Sequence, residues 1–348
     1  MKDSNDCIIY VGKAKNLKKR VQTYFQNSNT HSPKVERLIK NIKDFDIIQT
    51  DTEFEAFLLE CNLIQEFKPH YNQKMKNPLS YTYIEVQLHQ EYPRIVTISN
   101  PVITDTNLYF GPYSSKNTAE RAINGIKDLY KINCGNPSKM NSACLNHSLG
   151  LCIGMCLGGT AIKQYNTIID TIIALLNGTD HSILEKIQQR MIKASERFDF
   201  EKAAKYRDLI ELIHYLLNRK KVIEFTESNQ NIAITEHLLD GTLKLFLIKG
   251  SKVLFREKLS LTSASSGQIN AMIKSTILAY FDPNERNSSI LINRFEIDEA
   301  QIIYSYLKGS NCSYIIIPEK WLEFENHVNL DDAVNQILCN YKEMPSNV

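Results

Sequence analysis

The stretch IIYVGKAKNLKKRVQTYF, Ile8 to Phe25, decides how the amino-terminal part of this chain is read. A β-branched run stops at Gly12, and five of the eight residues from Lys13 to Arg20 are basic. Residues 7–11 (CIIYV) predict a strand. From Ala14 to Phe25 the pattern is helical, with Leu17, Val21, Tyr24 and Phe25 on one face. Tyr10 and Tyr24 bracket the cations. Taken alone, such a run is either a solvated helix face or a footprint for a phosphate backbone.

The rest of the chain narrows the choice. Its 348 residues suffice for two or three domains. Hydrophobic residues make up 43% and charged residues 23%, an ordinary globular balance. The net charge is only +2, so any basic footprint must be local. No apolar run reaches the ~18 residues of a membrane span, and the start MKDSNDC is not a secretory signal. The expectation is a cytoplasmic protein without membrane contact. Its cysteines are then reduced unless they bind metal or react.

Further elements follow from period and punctuation. Helices are expected over Pro33–Asp44 and over Glu53–Phe67, the latter with Phe57, Leu58, Ile64 and Phe67 inward and Pro69 after its end. IIQT (47–50), YTYIEVQL and PRIVTIS read as strands. Residues 118–131 are helical, 133–159 are a cysteine-rich loop, and 161–221 are helical almost throughout. Then come a hairpin turning at Gly250-Ser251, a helix over Gln268–Phe281, a strand SILIN (289–293), a helix over Asp298–Leu307, a strand YIIIP and a helix over Asp331–Tyr341. The fold class is α/β (α+β) and multidomain. The divisions are 1–75, a β-rich extension over 76–132, the cysteine segment 133–160, the helical region 161–222 and a small α/β domain over 223–348.

YVGK followed by a helix with Arg20 and Tyr24 resembles the GIY-YIG nuclease module of the UvrC family of excinucleases. TDTEFEAFLLECNLIQEFKPHYN (Thr50–Asn72) and YFGPYSS (Tyr109–Ser115) resemble the next two blocks of that family, in order. The resemblance implies metal-dependent phosphodiester hydrolysis in nucleotide excision repair, on damaged double-stranded DNA. Tyr10 would act on the attacking water. Lys13 and Arg20 would face phosphate charge, Arg20 through its fork. Glu60 would hold Mg²⁺ or Mn²⁺, for which one carboxylate is a usual protein share. Tyr24 and Asn72 would orient phosphate and active-site groups. Gly12, Lys15, Lys18 and Lys19 would meet the DNA backbone. The family has a further strand, with its own tyrosine, ahead of YVGK. This chain begins Met1-Lys2-Asp3 where that strand would be ending, so the expectation is a module short of its first strand. A non-catalytic adaptor for UvrB and DNA is the alternative reading.

Cys134, Cys144, Cys152 and Cys156 follow at steps of ten, eight and four. Without a CxxC pair the spacing leaves zinc and iron–sulfur both open; the resemblance implies a [4Fe–4S] cluster, with zinc the lesser choice. His147 and His181 read as ordinary polar residues, and Cys7, Cys61, Cys312 and Cys339 as small buried hydrophobes. ASERFDFEKAAKYRDLIELI resembles the UVR motif, a helical hairpin. Its turn would be anchored by Phe198 and Phe200, with Ala203, Ala204 and Arg207 on the second helix. The resemblance implies UvrB as the partner; an intramolecular linker is the alternative. The region 223–348 resembles the part of the family just before a second, RNase H-like nuclease and helix-hairpin-helix units, which this chain is expected to lack. Asp240, Asp298, Asp331 and Asp332 read as surface and cap residues.

Overall fold

The computed structural model describes residues 1–25, 32–72, 81–88, 92–99, 101, 106–135, 142–261, 266–281, 296–309, 312–323 and 327–339. In chain order the helices are α1 (Leu17–Phe25), α2 (Pro33–Asn41), α3 (Glu53–Phe67), α4 (Lys116–Tyr130), α5 (Leu145–Ser148), α6 (Thr160–Leu176), α7 (Ser182–Glu196), α8 (Phe200–Glu227), α9 (Ser266–Tyr280), α10 (Glu296–Leu307) and α11 (His327–Cys339). The strands are β1 (Thr82–Gln87), β2 (Arg94–Ile98), β3 (Asn107–Tyr113), β4 (Asn231–His237), β5 (Thr242–Lys249), β6 (Lys252–Ser260) and β7 (Ser313–Ile317). The chain divides into two compact units, 1–78 with 222–348, and 79–221.

The first unit is built on an antiparallel sheet in the order β6-β5-β4-β7. Alternation along each strand sends side chains to opposite faces. Ala233, Leu243, Leu245, Leu247 and Leu259 pack with Ile273 and Ile277 of α9 and Leu330 and Val334 of α11. Ile232, Ile234, Phe246 and Ile248 pack on the other face with Ile302 and Ile303 of α10 and with Phe54, Leu58 and Cys61 of α3. Each large apolar side chain so buried contributes roughly 1.5–3 kcal/mol. A much smaller cluster of Ile9, Tyr24 and Leu38 holds α1 and α2.

Helix α3 has clear end signals. The Thr52 side chain accepts from the Glu55 N–H, and Lys68 closes the helix at φ +46 just before Pro69. Its inward face is Phe54, Glu55, Leu58, Cys61 and Ile64. Phe57 and Phe67, expected inward, are 37% and 44% exposed: Phe67 shares a face with Glu60 and Leu63, and Phe57 sits at the edge of the inward face, under the Lys13 ammonium. Residues 7–11 and 47–50, expected as strands, form no ladder; Ile8 makes only an isolated bridge to Lys2. Residues 7–11 meet Met1, Asp3 and Tyr71 through scattered single backbone hydrogen bonds rather than the regular pairing a ladder needs, and both segments line a cavity. Cys7 is exposed rather than buried, Cys61 is buried and Cys312 is half-buried. SILIN, the side chain of Cys339 and Tyr341 lie outside the described residues.

The second unit pairs a β2-β1-β3 antiparallel sheet with α4 and the helices α6 to α8. Ile84 and Val86 meet Ile123 and Ile126 of α4, and Ile213 and Leu216 of α8 complete the layer. A methyl on Gly125 would stand 2.4 Å from Leu209 Cδ1, so α4 and α8 approach closely there and the leucine would have to shift to admit a larger residue. The YFGPYSS block is a junction. Tyr113 is buried, Ser115 caps α4 by accepting from the Thr118 N–H, and the Pro112 carbonyl accepts from buried Arg219 Nε at 2.9 Å.

Candidate functional site

A cavity of about 710 Å³ lies in the first unit. Its walls are residues from Ile8 to Tyr24, the segment Phe45–Thr50 and the outer face of α3. Ala56, Glu60, Leu63 and Phe67 recur every three or four residues, which puts them on one helical face. Tyr10, Gly12, Lys13, Lys15, Arg20, Tyr24 and Glu60 all line this cavity. Lys18 and Lys19 are exposed on α1 and do not line it, and Asn72 stands behind it. The Asn72 side-chain amide clamps one residue of the loop: it accepts from the Val11 N–H at 3.0 Å and donates to the Val11 carbonyl at 2.9 Å. Asn72 thus holds the backbone of YVGK and does not face the groove.

The aromatic and basic groups are in mutual contact. The Tyr10 and Tyr24 rings meet edge-on at 6.2 Å, and the Arg20 guanidinium lies 5.1 Å from the Tyr24 ring. Burial, then the hydroxyl of Tyr10, pushes the Tyr24 phenol well above its usual range, against the pull of Arg20. Desolvation lowers the Arg20 pKa, but the phenols of Tyr24 and Tyr10 outweigh it and leave it raised. Gly12 serves the tyrosine: a methyl there would stand 2.8 Å from Tyr10 Cε1.

Lys13 is already occupied. Its ammonium donates to Glu53 Oε1 at 3.0 Å and sits 3.3 Å over the Phe57 ring, and Lys15 reaches Glu53 Oε2 at 3.3 Å. Sequence reading missed Glu53 and Phe57; their spacing to Glu60 on α3 was the available signal. Half-buried Glu60 has its pKa raised, first by desolvation, with the Lys13 N–H and the charges of Lys13 and Arg20 opposing. A carboxylate short of compensating charge at the wall of an open groove fits a divalent cation.

In the second unit the Sγ atoms of Cys134, Cys144 and Cys156 lie within 4.8 Å of one another, and Cys152 belongs to the same buried cluster. Backbone N–H groups of Cys144 and Gly154 donate to the sulfurs of Cys156 and Cys152, both at 3.3 Å. Desolvation opposes ionisation of Cys144, yet N–H donors from Gly135 and His147 and the thiols of Cys156 and Cys134 hold it down to about 6. Buried sulfurs that accept backbone N–H bonds fit a thiolate-bound metal or cluster. His147 Nδ1 is 3.0 Å from the Cys152 carbonyl, a polar support beside the sulfurs.

The turn between α7 and α8 differs from expectation. Phe198 and Phe200 are 79% and 64% exposed, their rings 6.1 Å apart and edge-on. At that exposure they are not buried anchors of the turn. Asp199 holds the turn, accepting from the Lys202 N–H at 3.2 Å, while Phe198 takes a left-handed φ of +59. Ala203 and Ala204 are half-buried and Arg207 is exposed, paired with Asp208 at 2.8 Å. Asp240 and Asp331 pair with Lys258 and Lys274 and do not converge on one site.

Residues 1–73 match the UvrC-like GIY-YIG domain, residues 81–175 the UvrC/Cho excinuclease middle domain, and residues 182–216 the UvrB/UvrC motif. The chain is 35% identical over 331 residues to UvrABC system protein C of Clostridium perfringens (strain ATCC 13124), covering 92% of this chain and 53% of that protein. The corresponding protein of Clostridioides difficile (strain 630) is 33% identical over 92% of this chain and 54% of its own length. That of Acetivibrio thermocellus (strain ATCC 27405) is 32% identical over 92% and 52%. The chain spans about half the length of the curated relatives it matches. Among the described residues no helix is long and apolar enough to cross a membrane.

Proposed function

The chain belongs to the UvrC family, and from that premise we propose that it is an endonuclease of nucleotide excision repair, cutting damaged DNA on the 3′ side of the lesion together with UvrB. The observation that carries this reading is the meeting of Tyr10, Arg20, Tyr24 and Glu60 at one groove. Tyr10 positions the attacking water and, in its phenolate form beside the Arg20 guanidinium, takes the water's proton. Tyr24 stays protonated and donates, which leaves the accepting role to Tyr10. Arg20 grips the scissile phosphate through its fork and stabilises charge on the non-bridging oxygens. Lys13 exchanges Glu53 for phosphate when DNA enters, and Lys15, Lys18 and Lys19 follow the backbone on either side. A divalent cation on Glu60, Mg²⁺ or Mn²⁺, would supply Lewis-acid neutralisation at the phosphate.

Two other sites complete the reading. Cys134, Cys144, Cys152 and Cys156 would hold a [4Fe–4S] cluster, with zinc the lesser choice. The exposed Phe198–Phe200 pair, with Ala203, Ala204 and Arg207, would dock UvrB. Work on cellular DNA calls for a cytoplasmic location.

The test is nicking of a lesion-bearing duplex with UvrB and Mg²⁺ present. The parent should cut. Glu60→Ala should abolish cutting while DNA binding persists, and Arg20→Ala should cost on the order of 10²-fold. If the parent binds UvrB and DNA but never cuts, or if Tyr10→Phe and Glu60→Ala cut like the parent, the non-catalytic adaptor reading takes its place.

A further inference from the structure

Strand β5 runs TLKLFLIK, and Leu243 to Ile248 are all buried. Lys244 is the one charged residue in that run. By the alternation of the strand it shares a face with Phe246 and Ile248, the face that packs on α3. Its side chain is 7% exposed, and its ammonium lies 2.7 Å from Asp51 Oδ2 and 2.9 Å from Glu55 Oε1, itself 7% exposed. Lys258 adds a second bridge, 3.6 Å from Asp51 Oδ1. Burial works against the Lys244 ammonium, yet the two carboxylates keep its pKa above the usual lysine value. An apolar residue would fill this place with no desolvation cost, so a cation here calls for a reason beyond stability.

That reason lies in what Asp51 and Glu55 do. They flank Thr52, the residue that caps α3, and Glu55 Oε2 accepts the Asp51 N–H at 3.2 Å. Between them in sequence, Glu53 points the other way and ties Lys13 and Lys15. Glu60 follows Glu53 by seven residues, two turns along the same face. Helix α3 therefore carries the groove's acids on one side and rests on the carboxy-terminal sheet with the other. Phe54 is stacked on Tyr306 at 4.1 Å and meets Phe246 edge-on at 5.1 Å. The small Ile9–Tyr24–Leu38 cluster holds α1 and α2 and does not include α3.

We infer that Lys244 is a positioning residue for the groove: through Asp51 and Glu55 it sets the start of α3, and so the placement of Glu53 and Glu60. Strands β4 and β5 and helix α10 are on this account the bed of the active-site helix. The inference rests on the proposed nuclease reading for its catalytic meaning, and its test is built to stand without it.

In the full-length chain, Lys244→Met should speed hydrogen exchange of the Leu58–Ile64 amides by about 10-fold, with α4 and α6 unchanged as internal controls. Mn²⁺ binding, followed by electron paramagnetic resonance, should weaken by about 10-fold, the range for loss of a group that orients a metal ligand. Nicking should fall in kcat by a similar factor with DNA affinity retained, and Lys244→Arg should restore all three to within about 3-fold. Should Lys244→Met fail to fold, Asp51→Asn removes one of the two partners from a more exposed position and should shift exchange and Mn²⁺ affinity in the same direction by about 3-fold. Unchanged exchange and Mn²⁺ affinity in the folded variants overturn the inference. A parent that never nicks overturns only the nuclease reading, because exchange and metal binding are still read.

Discussion

The ring of Tyr10 folds back over Gly12 so closely that a methyl on Gly12 would stand 2.8 Å from Cε1 and 2.9 Å from the hydroxyl. The glycine is therefore tied to the tyrosine's position. Gly12→Ala should lower nicking on the order of 10²-fold by moving the hydroxyl, since a shift near 1 Å can cost that much. In a Tyr10→Phe background the same change should add little. If Gly12→Ala instead weakens DNA binding equally in both backgrounds, close approach of the DNA backbone is its role.

Glu60 carries a pH signature. Its folded pKa is raised above the unfolded value of about 4.3, so the native state binds the proton more tightly and metal-free stability falls as pH rises through that window. Glu60→Gln should accordingly raise the Tm of metal-free protein at pH 7, with no gain below pH ~4. Mn²⁺ should reverse the order at pH 7 by binding only the parent. An equal Tm for both proteins at pH 7 without metal would remove the claim that Glu60 lacks a compensating charge.

The cysteine centre predicts a colour. Protein purified without oxygen should be brown and contain iron and sulfide, and Cys152→Ala should bleach it. Stoichiometric zinc without iron would assign the same thiolates to zinc. In metal-free protein the Cys144 thiol, held at about 6, contributes stability above the unfolded cysteine pKa of about 8.5, lost as pH falls through 6. Cys144→Ser should flatten that part of a Tm-against-pH curve.

At the hairpin tip, stability and binding should separate. Phe198 holds φ +59, a conformation that costs a side chain about 1–2 kcal/mol and a glycine almost nothing. Phe198→Gly should therefore raise the stability of the second unit while weakening UvrB. Phe200, 64% exposed, should leave Tm unchanged when replaced by alanine and weaken UvrB by roughly 2–4 kcal/mol in a titration. Full UvrB affinity in both variants would favour the linker reading of these helices.

The chain announces its helices because helices close their hydrogen bonds locally. Thr52 and Pro69 mark both ends of α3, Ser115 starts α4, and α6, α7 and most of α8 fall in the stretch 161–221 that the sequence predicts as helical. The carboxy-terminal hairpin is legible for the same reason, since Gly250 makes its turn between neighbouring strands. For the groove, the family resemblance and not the spacing points to Tyr10, Lys13, Arg20, Tyr24 and Glu60, and the structure brings these five to one cavity. Tertiary structure decided what depends on distant partners. Residues 7–11 and 47–50 have strand composition but no ladder. Phe67 looks like core yet lines the groove, and Phe57 lies under the Lys13 ammonium, because the core under α3 is supplied by a sheet whose first strand lies more than 150 residues downstream. Lys244 reads in sequence as one interruption in an apolar strand. Only the packing of β5 on α3 brings it to Asp51 and Glu55, since burial leaves an ammonium no water to replace them.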